Sequence, residues 1–278
     1  MHILVTNDDG VMAPGLLALA QAMRKLGDVI VLGPDRNWSG GGHVKTVHRP
    51  LRVEEVRLAD GSMAFAADGA PSDCVALALL GFVPEKIDLV VSGINPYSNM
   101  GHDVTYSGTV TAAMEAAIFG VSAVAFSLAG DEPRDQFFYS SAAEVAEDVV
   151  RKLMDHALEE ELLLNVNIPN VAADEIQGIQ ITRQGMRIYH SALDKRQDPR
   201  GKTYYWIAGS VPSGVPDFGT DFGAIAENNI SITPLKVDLT DFGRSMQLRQ
   251  WNWDRFERPS PVMTTNIGIS HLQQSSAT

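Results

Sequence analysis

A chain of 278 residues with 45% hydrophobic and 20% charged residues has the composition of an ordinary globular protein and the length for one large domain with an elaboration. Its formal net charge of −12 at pH 7 excludes broad attraction to nucleic-acid polymers or anionic membranes, both of which need excess Lys and Arg. An anionic substrate must then be held by local chemistry, through a divalent cation or oriented backbone N–H groups.

The chain opens on an apolar strand, Ile3 to Thr6, broken by Asn7-Asp8-Asp9-Gly10. Pro14 suits the first turn of a helix whose apolar positions Leu16, Leu17, Ala20, Met23 and Leu26 recur at helical spacing until Gly27. Val29 to Leu32 is a second strand, and Gly33 to Gly42 reads as a loop at its carboxyl end. Pro71 to Leu80 reads as a helix holding Cys74, the one cysteine, as a packed apolar residue. Ile87 to Val91 is a buried strand running into Ser92-Gly93-Ile94-Asn95. Ser107-Gly108-Thr109 opens a helix through Phe119, Ala123 to Leu128 is a strand, and a helix from Phe138 to Leu158 leads to a strand at Leu162 to Ile168. Strands and helices in alternation build a mostly parallel sheet with helices on both faces, an α/β fold of Rossmann-like type.

The last hundred residues differ. Ile179 to Thr182 and Tyr204 to Ile207 are strand-like and are separated by a charged segment, Asp194 to Lys202, which reads as a β-hairpin projection or a loop insertion. Thr220 to Glu227 suits a helix and Ile230 to Thr233 a strand. Trp251, Trp253 and Phe256 ask for a partner surface, and the chain ends in polar Gln273 to Thr278. The expected division is a catalytic core over 1–190 and a hairpin and C-terminal segment over 191–278. No apolar stretch reaches membrane-spanning length and no signal peptide precedes the first strand, so a cytoplasmic location is expected.

In open α/β sheets ligands bind at the carboxyl ends of the strands, where three polar clusters fall: Asn7 to Gly10, Pro34 to Gly40, and Ser92 to Asn95. Adjacent carboxylates such as Asp8 and Asp9 repel unless a cation sits between them or a proton is taken up. Asp also caps helices and shapes turns, so the pair alone leaves that reading open. Carboxylate, hydroxyl and amide oxygens suit Mg²⁺, Mn²⁺ or Ca²⁺, and no Cys/His spacing supports zinc. His43 and His102 lie in candidate site loops, and Asp35 and Arg36 suit a local ion pair. Tyr106-Ser107-Gly108-Thr109-Val110-Thr111 at a helix start offers N–H groups and hydroxyls to an anion, although a plain helix cap has the same composition. A receiver-like Mg²⁺-binding signalling domain also begins with a strand and two acids, but here the strand from Ile87 ends without the acceptor Asp such a domain needs. A nucleotide-binding protein without turnover remains an alternative.

With these motifs in order, the chain resembles the SurE family of survival-protein nucleotidases. The resemblance rests on Ile3 to Gly10, Pro34 to Asn37, Ser39-Gly40, Ser92 to Asn95 and Tyr106 to Val110, and extends through Asn165 to Pro169, Thr182 to Gly185 and Ser231 to Leu235. It implies a phosphomonoesterase acting on nucleoside 5′- and 3′-monophosphates, and on polyphosphate in some members. It also implies one divalent metal ion per subunit, Mg²⁺ or Mn²⁺, and a homodimer or homotetramer with exchanged C-terminal segments. Carried over by position, Asp8, Asp9, Ser39 and Asn95 match metal ligands, and Asn99, Ser107, Gly108 and Thr109 match phosphate contacts, with Asp8 and Asp9 as the catalytic pair. Trp38, Tyr97, Gly42, Val44 and Ala70 depart from the family pattern. Of these, Trp38 and Tyr97 are expected to stack on a base or partly fill its pocket.

Overall fold

The computed structural model describes residues 1–129, 136–156 and 161–253. It divides into two compact units, Met1–Val237 and Asp238–Thr278. Leu158, Phe256 and the polar end from Gln273 lie outside the described residues.

The first unit is built on a nine-stranded sheet in the order β3-β4-β2-β1-β5-β6-β7-β11-β8. Its strands are β1 (His2–Thr6), β2 (Asp28–Pro34), β3 (Val53–Arg57), β4 (Met63–Ala67), β5 (Leu89–Asn95), β6 (Ala123–Ala129), β7 (Leu163–Pro169), β8 (Gly178–Ile181) and β11 (Asn229–Pro234). The six from β4 to β7 in that order run parallel. β3 is antiparallel to β4 on one edge, and β11, antiparallel to β7, carries β8 on the other. Beyond β1 the chain first builds outward through β2 and then returns to β5 on the opposite side. The loops after β1 and β5 therefore part and leave a crevice at their carboxyl ends.

Alternation along the strands sorts the core into two layers. Ile3, Val5, Leu89, Val91, Val124 and Phe126 face α1 (Pro14–Met23) and α4 (Tyr139–Asp155), which supply Leu16, Leu19, Ala146 and Val150. Leu4, Leu32, Val90 and Ala125 face α2 (Pro71–Leu77) and α3 (Gly108–Ile118), which supply Cys74, Val75, Val110, Ala113 and Ala116. Small residues on α3 let it lie close to the sheet, and this brings its first turn to the site. Cys74 is fully buried as expected, and burial pushes its thiol up.

Several boundaries shift. α1 ends at Met23, with Arg24 to Leu26 in a turn. Gly33 and Pro34 belong to β2, and Ser92 to Asn95 belong to β5. The helix read to Leu80 stops at Leu77 and passes into a π turn, Ala78–Phe82, where Gly81 at φ 106° reverses the chain. The charged segment from Asp194 is half strand: β9 (Arg187–Gln197) and β10 (Thr203–Gly214) pair as a long antiparallel hairpin, and only residues 198–202 form its turn. The other strand-like run, at Ile179, joins the main sheet as β8. α5 (Asp221–Ala226) is capped by Thr220, whose hydroxyl accepts from Gly223 N–H. No helix among the described residues is long and apolar enough to cross a membrane.

Within the second unit, α6 (Phe242–Leu248) is capped by Asp241. Trp253 donates Nε1–H to Leu248 O at 2.8 Å, and its ring stacks on Trp251 at 5.8 Å.

Candidate active site

The carboxyl ends of β1, β2 and β5 open into one cavity of about 380 Å³, lined by Asp8, Asp9, Ser39, Asn95, Asn99 and Ser107 among others. Six of the eight residues marked out in the sequence thus meet. Gly108 and Thr109 stand behind Asp8 instead. A Cβ added to Gly108 would lie 2.6 Å from Asp8 Cβ, and Thr109 Oγ1 donates to Asp8 Oδ1 at 2.5 Å. The start of α3 is therefore pressed against the Asp8 carboxylate, with its N-terminal dipole toward it. Ser107 caps the helix by accepting from Val110 N–H at 3.1 Å.

The acid pair is asymmetric. Asp8 is 3% exposed, and Asp9 is only partly buried and opens on the cavity. Burial raises the Asp8 carboxyl above its ordinary range, opposed by the hydrogen bond from Thr109. Burial first, and the neighbouring Asp8 charge second, push Asp9 up to about 7. Tyr139, at the start of α4, is pushed up to about 12 by burial and then by the charges of Asp9 and Tyr97, so it stays protonated.

Asn95 donates Nδ2–H to Tyr97 O at 2.6 Å, which leaves the lone pairs of Oδ1 to face a cation. Ser39 rides on the loop after β2, where its N–H donates to Asn37 Oδ1 at 2.7 Å. Asn99 is held from below by neighbouring strands. Its C=O accepts from Asn165 Nδ2 at 2.7 Å and Asn167 Nδ2 at 3.1 Å, its N–H donates to Asn167 Oδ1 at 2.9 Å, and its Nδ2 donates to Ser127 Oγ at 2.8 Å. Gly93 supports this corner through its φ of 131°, and a Cβ there would lie 2.3 Å from Phe126 O.

Among the described residues no group of three or more His, Cys, Asp or Glu side chains is placed to hold a metal ion. The residues present fit a hard cation all the same. Two carboxylates, a hydroxyl and an amide oxygen are an all-oxygen set, and the adjacent Asp8–Asp9 charge is what a divalent ion would neutralise.

The remaining sequence-marked residues separate. Arg36 Nη1 pairs with Asp35 at 3.3 Å, and its guanidinium lies 4.9 Å over the Trp38 ring. Trp38 is half-buried and outside the cavity lining, between Asn37 and Ser39, which line it; its backbone N–H donates to Asp8 O at 2.7 Å. Tyr97 does line the cavity, with its ring edge-on to Phe137 at 5.6 Å. His102 is exposed, and His43 is bonded to Glu115. Asp103 and Tyr106 also reach the cavity, though sequence reading had not marked Asp103. Asp103 accepts from Tyr189 OH at 2.5 Å and pairs with Arg187 at 2.8 Å, which joins the base of the β9–β10 hairpin to the site wall. A lone Asp in a 3₁₀ turn, Gly101–Thr105, carries no sequence signal for such a contact.

The family model described as survival protein SurE matches residues 3–191. A relative from Herpetosiphon aurantiacus, named 5′-nucleotidase SurE, is 51% identical over 255 residues, covering 91% of this chain and 99% of that one. A relative of the same name from Chloroflexus aggregans is 48% identical over 255 residues, with 91% and 100% covered. The crystal structure of the SurE protein from Aquifex aeolicus is similar with a TM-score of 0.76 and 39% identity, covering 90% of this chain and 98% of that one.

Proposed function

The chain belongs to the SurE family, and from that membership we propose that it is a hydrolase releasing phosphate from nucleoside 5′- and 3′-monophosphates with the help of a divalent metal ion, Mg²⁺ or Mn²⁺. The observation that carries this reading is the meeting of Asp8, Asp9, Ser39 and Asn95 with Asn99 and Ser107 around one cavity. Activity on polyphosphate is part of the same reading.

Asp8, Asp9, Ser39 and Asn95 would hold the metal ion, which supplies charge neutralisation at the phosphate and Lewis acidity. Asn99 and Ser107 bind non-bridging phosphate oxygens by hydrogen bonds, preorganised by the Asn165–Asn167–Ser127 contacts and by the helix cap. Gly108 and Thr109 act on the substrate through Asp8, which they hold in place. Asp9, the acid open to the cavity, orients the attacking water. Asp8 is committed to Thr109, which favours direct attack by water over an aspartyl-phosphate on Asp8. Acid quenching during turnover of radiolabelled phosphate monoester distinguishes the two, since a phosphorylated protein with the label mapped to Asp8 would establish it as nucleophile.

A homodimer or homotetramer with exchanged segments from 191–278 belongs to this proposal. The hairpin residues Leu193, Trp206 and Ile207 are exposed at 67%, 61% and 88% and suit packing on a second copy. A cytoplasmic location is part of the same reading, supported by a lone thiol that is buried. The deciding experiment is phosphate release from a panel of nucleoside monophosphates and polyphosphate with Mg²⁺, Mn²⁺ or EDTA, on wild type and Asp9→Asn. Activity in EDTA, or an unaffected variant, would refute the assignment.

A further inference from the structure

The segment from His43 to Thr46 belongs to no helix or strand, yet each of its residues is tied, and the ties alternate. His43 Nε2 and Lys45 Nζ reach Glu115 on α3 at 2.7 and 2.6 Å. Between and beyond them, Val44 C=O accepts from Ser72 Oγ, and Thr46 donates through N–H and Oγ1 to Asp73 at 2.8 and 2.6 Å, both at the start of α2. Gly42 is fastened on either side of the start of α3: its N–H donates to Tyr106 O, just before the helix, and its C=O accepts from Thr111 Oγ1 within it. The loop just before this strap carries Ser39.

Glu115 is unusual in this arrangement. It stands among the alanines of α3 with a side chain 4% exposed, whereas its partners His43 and Lys45 are 31% and 48% exposed. A carboxylate in such a place is costly unless it is paired. Burial pushes its carboxyl up, and the hydrogen bonds from His43 and Lys45 outweigh that and leave it below its ordinary range. The exposed strap is thereby held to a buried charge on the helix whose first turn presses on Asp8.

We propose that Glu115 is a positioning residue that, through His43 and Lys45, fixes the loop carrying Ser39 over the cavity and so sets the affinity for the divalent ion. The inference rests on the proposed metal site. It requires the ion to bind more weakly when the tether is cut, with the protein still folded.

The test is Mn²⁺ binding to the full-length protein by titration calorimetry, alongside thermal melting, for wild type, Glu115→Gln, Lys45→Met and the double variant. Val150→Ala, a core change on α4 remote from the loop, serves as the stability control. The expected result is a Mn²⁺ dissociation constant raised about 10-fold in Glu115→Gln. A smaller rise is expected in Lys45→Met, and a double variant no worse than Glu115→Gln, because the two act through one contact. Binding within twofold of wild type in folded Glu115→Gln would overturn the proposal, as would an equal loss in Val150→Ala. If Glu115→Gln does not fold, the exposed Lys45→Met decides the matter, and unchanged affinity there rejects the tether. Wild type that binds no Mn²⁺ refutes the metal reading itself, an outcome distinct from failure of the tether.

Discussion

Thr109 and Asp8 lie 101 residues apart in sequence and share a hydrogen bond of 2.5 Å, Oγ1 donating to Oδ1, at the join between the first strand and the third helix. This bond aims the less exposed of the two site carboxylates. Thr109→Val keeps the shape and removes the donor. The expected cost is about 1–3 kcal/mol of stability, since a buried acceptor loses its partner. On the proposed role of Asp8 in holding the ion, activity should fall about 10- to 100-fold, the usual cost of losing a group that orients a metal ligand. Phosphate release at saturating Mg²⁺, beside a denaturant melt, measures both.

Gly108→Ala tests the close approach of α3 to Asp8. Alanine is the better helix former by about 1 kcal/mol, but its methyl would meet Asp8 Cβ at 2.6 Å and Oδ2 at 2.9 Å. Relieving that approach must move α3 or the buried Asp8, so the variant should lose stability together with most of its kcat/KM. Wild-type kinetics in a folded Gly108→Ala protein would mean that the contact with Asp8 has no bearing on turnover.

Asp9 predicts a pH dependence of defined sign. Its folded carboxyl titrates near 7 against an ordinary 3.8, so between those values the folded state keeps a proton that the unfolded state has released. Stability of the metal-free protein should therefore fall as pH rises from about 4 to about 7. Asp9→Asn should flatten that part of the profile, and so should saturating divalent ion. Urea melts in EDTA across this range provide the check, and a profile identical in wild type and variant would contradict it.

Tyr97 lines the cavity with its ring braced on Phe137. If it stacks on the base, Tyr97→Gly should change KM for nucleoside monophosphates by about 2- to 10-fold, the span of one aromatic contact. Ribose 5-phosphate, which has no base, should be hydrolysed as before. Equal losses on both substrates would remove Tyr97 from base recognition.

Much of this arrangement was legible in the sequence because the parallel core writes itself in apolar runs. Ile3 to Thr6 and Ala123 to Leu128 are buried on both faces, and Val29 to Leu32 is apolar throughout and buried from Val31, so hydrophobic runs mark all three. β3 and β4 are hard to see in the sequence because Val53 to Arg57 is a charged, half-exposed edge strand and Met63 to Ala67 has no β-branched residue. β9 was read partly as a loop since an exposed hairpin tolerates the charges of Asp194 to Arg196. At the site, motif order foretold which residues approach the cavity, but not the layer each occupies. Gly108 and Thr109 lie behind Asp8 because α3 packs tightly on the sheet, a fact of packing with no signature in spacing. The support of Asn99 by Asn165 and Asn167, 66 and 68 residues away, was hidden for the same reason. Glu115 did leave a trace, as a lone acid in an alanine-rich helix.

The acid pair follows β1, which has β2 on one side and β5 on the other and whose Ile3, Leu4 and Val5 are wholly buried. Strands in such a place open only when the whole unit opens. An ion seated at their ends is then linked to global unfolding, and its binding energy is felt by every core amide at once. Occupancy should register as uniformly slower hydrogen exchange across both layers of the core, so that an ion at the proposed site would act as a clasp on the entire sheet.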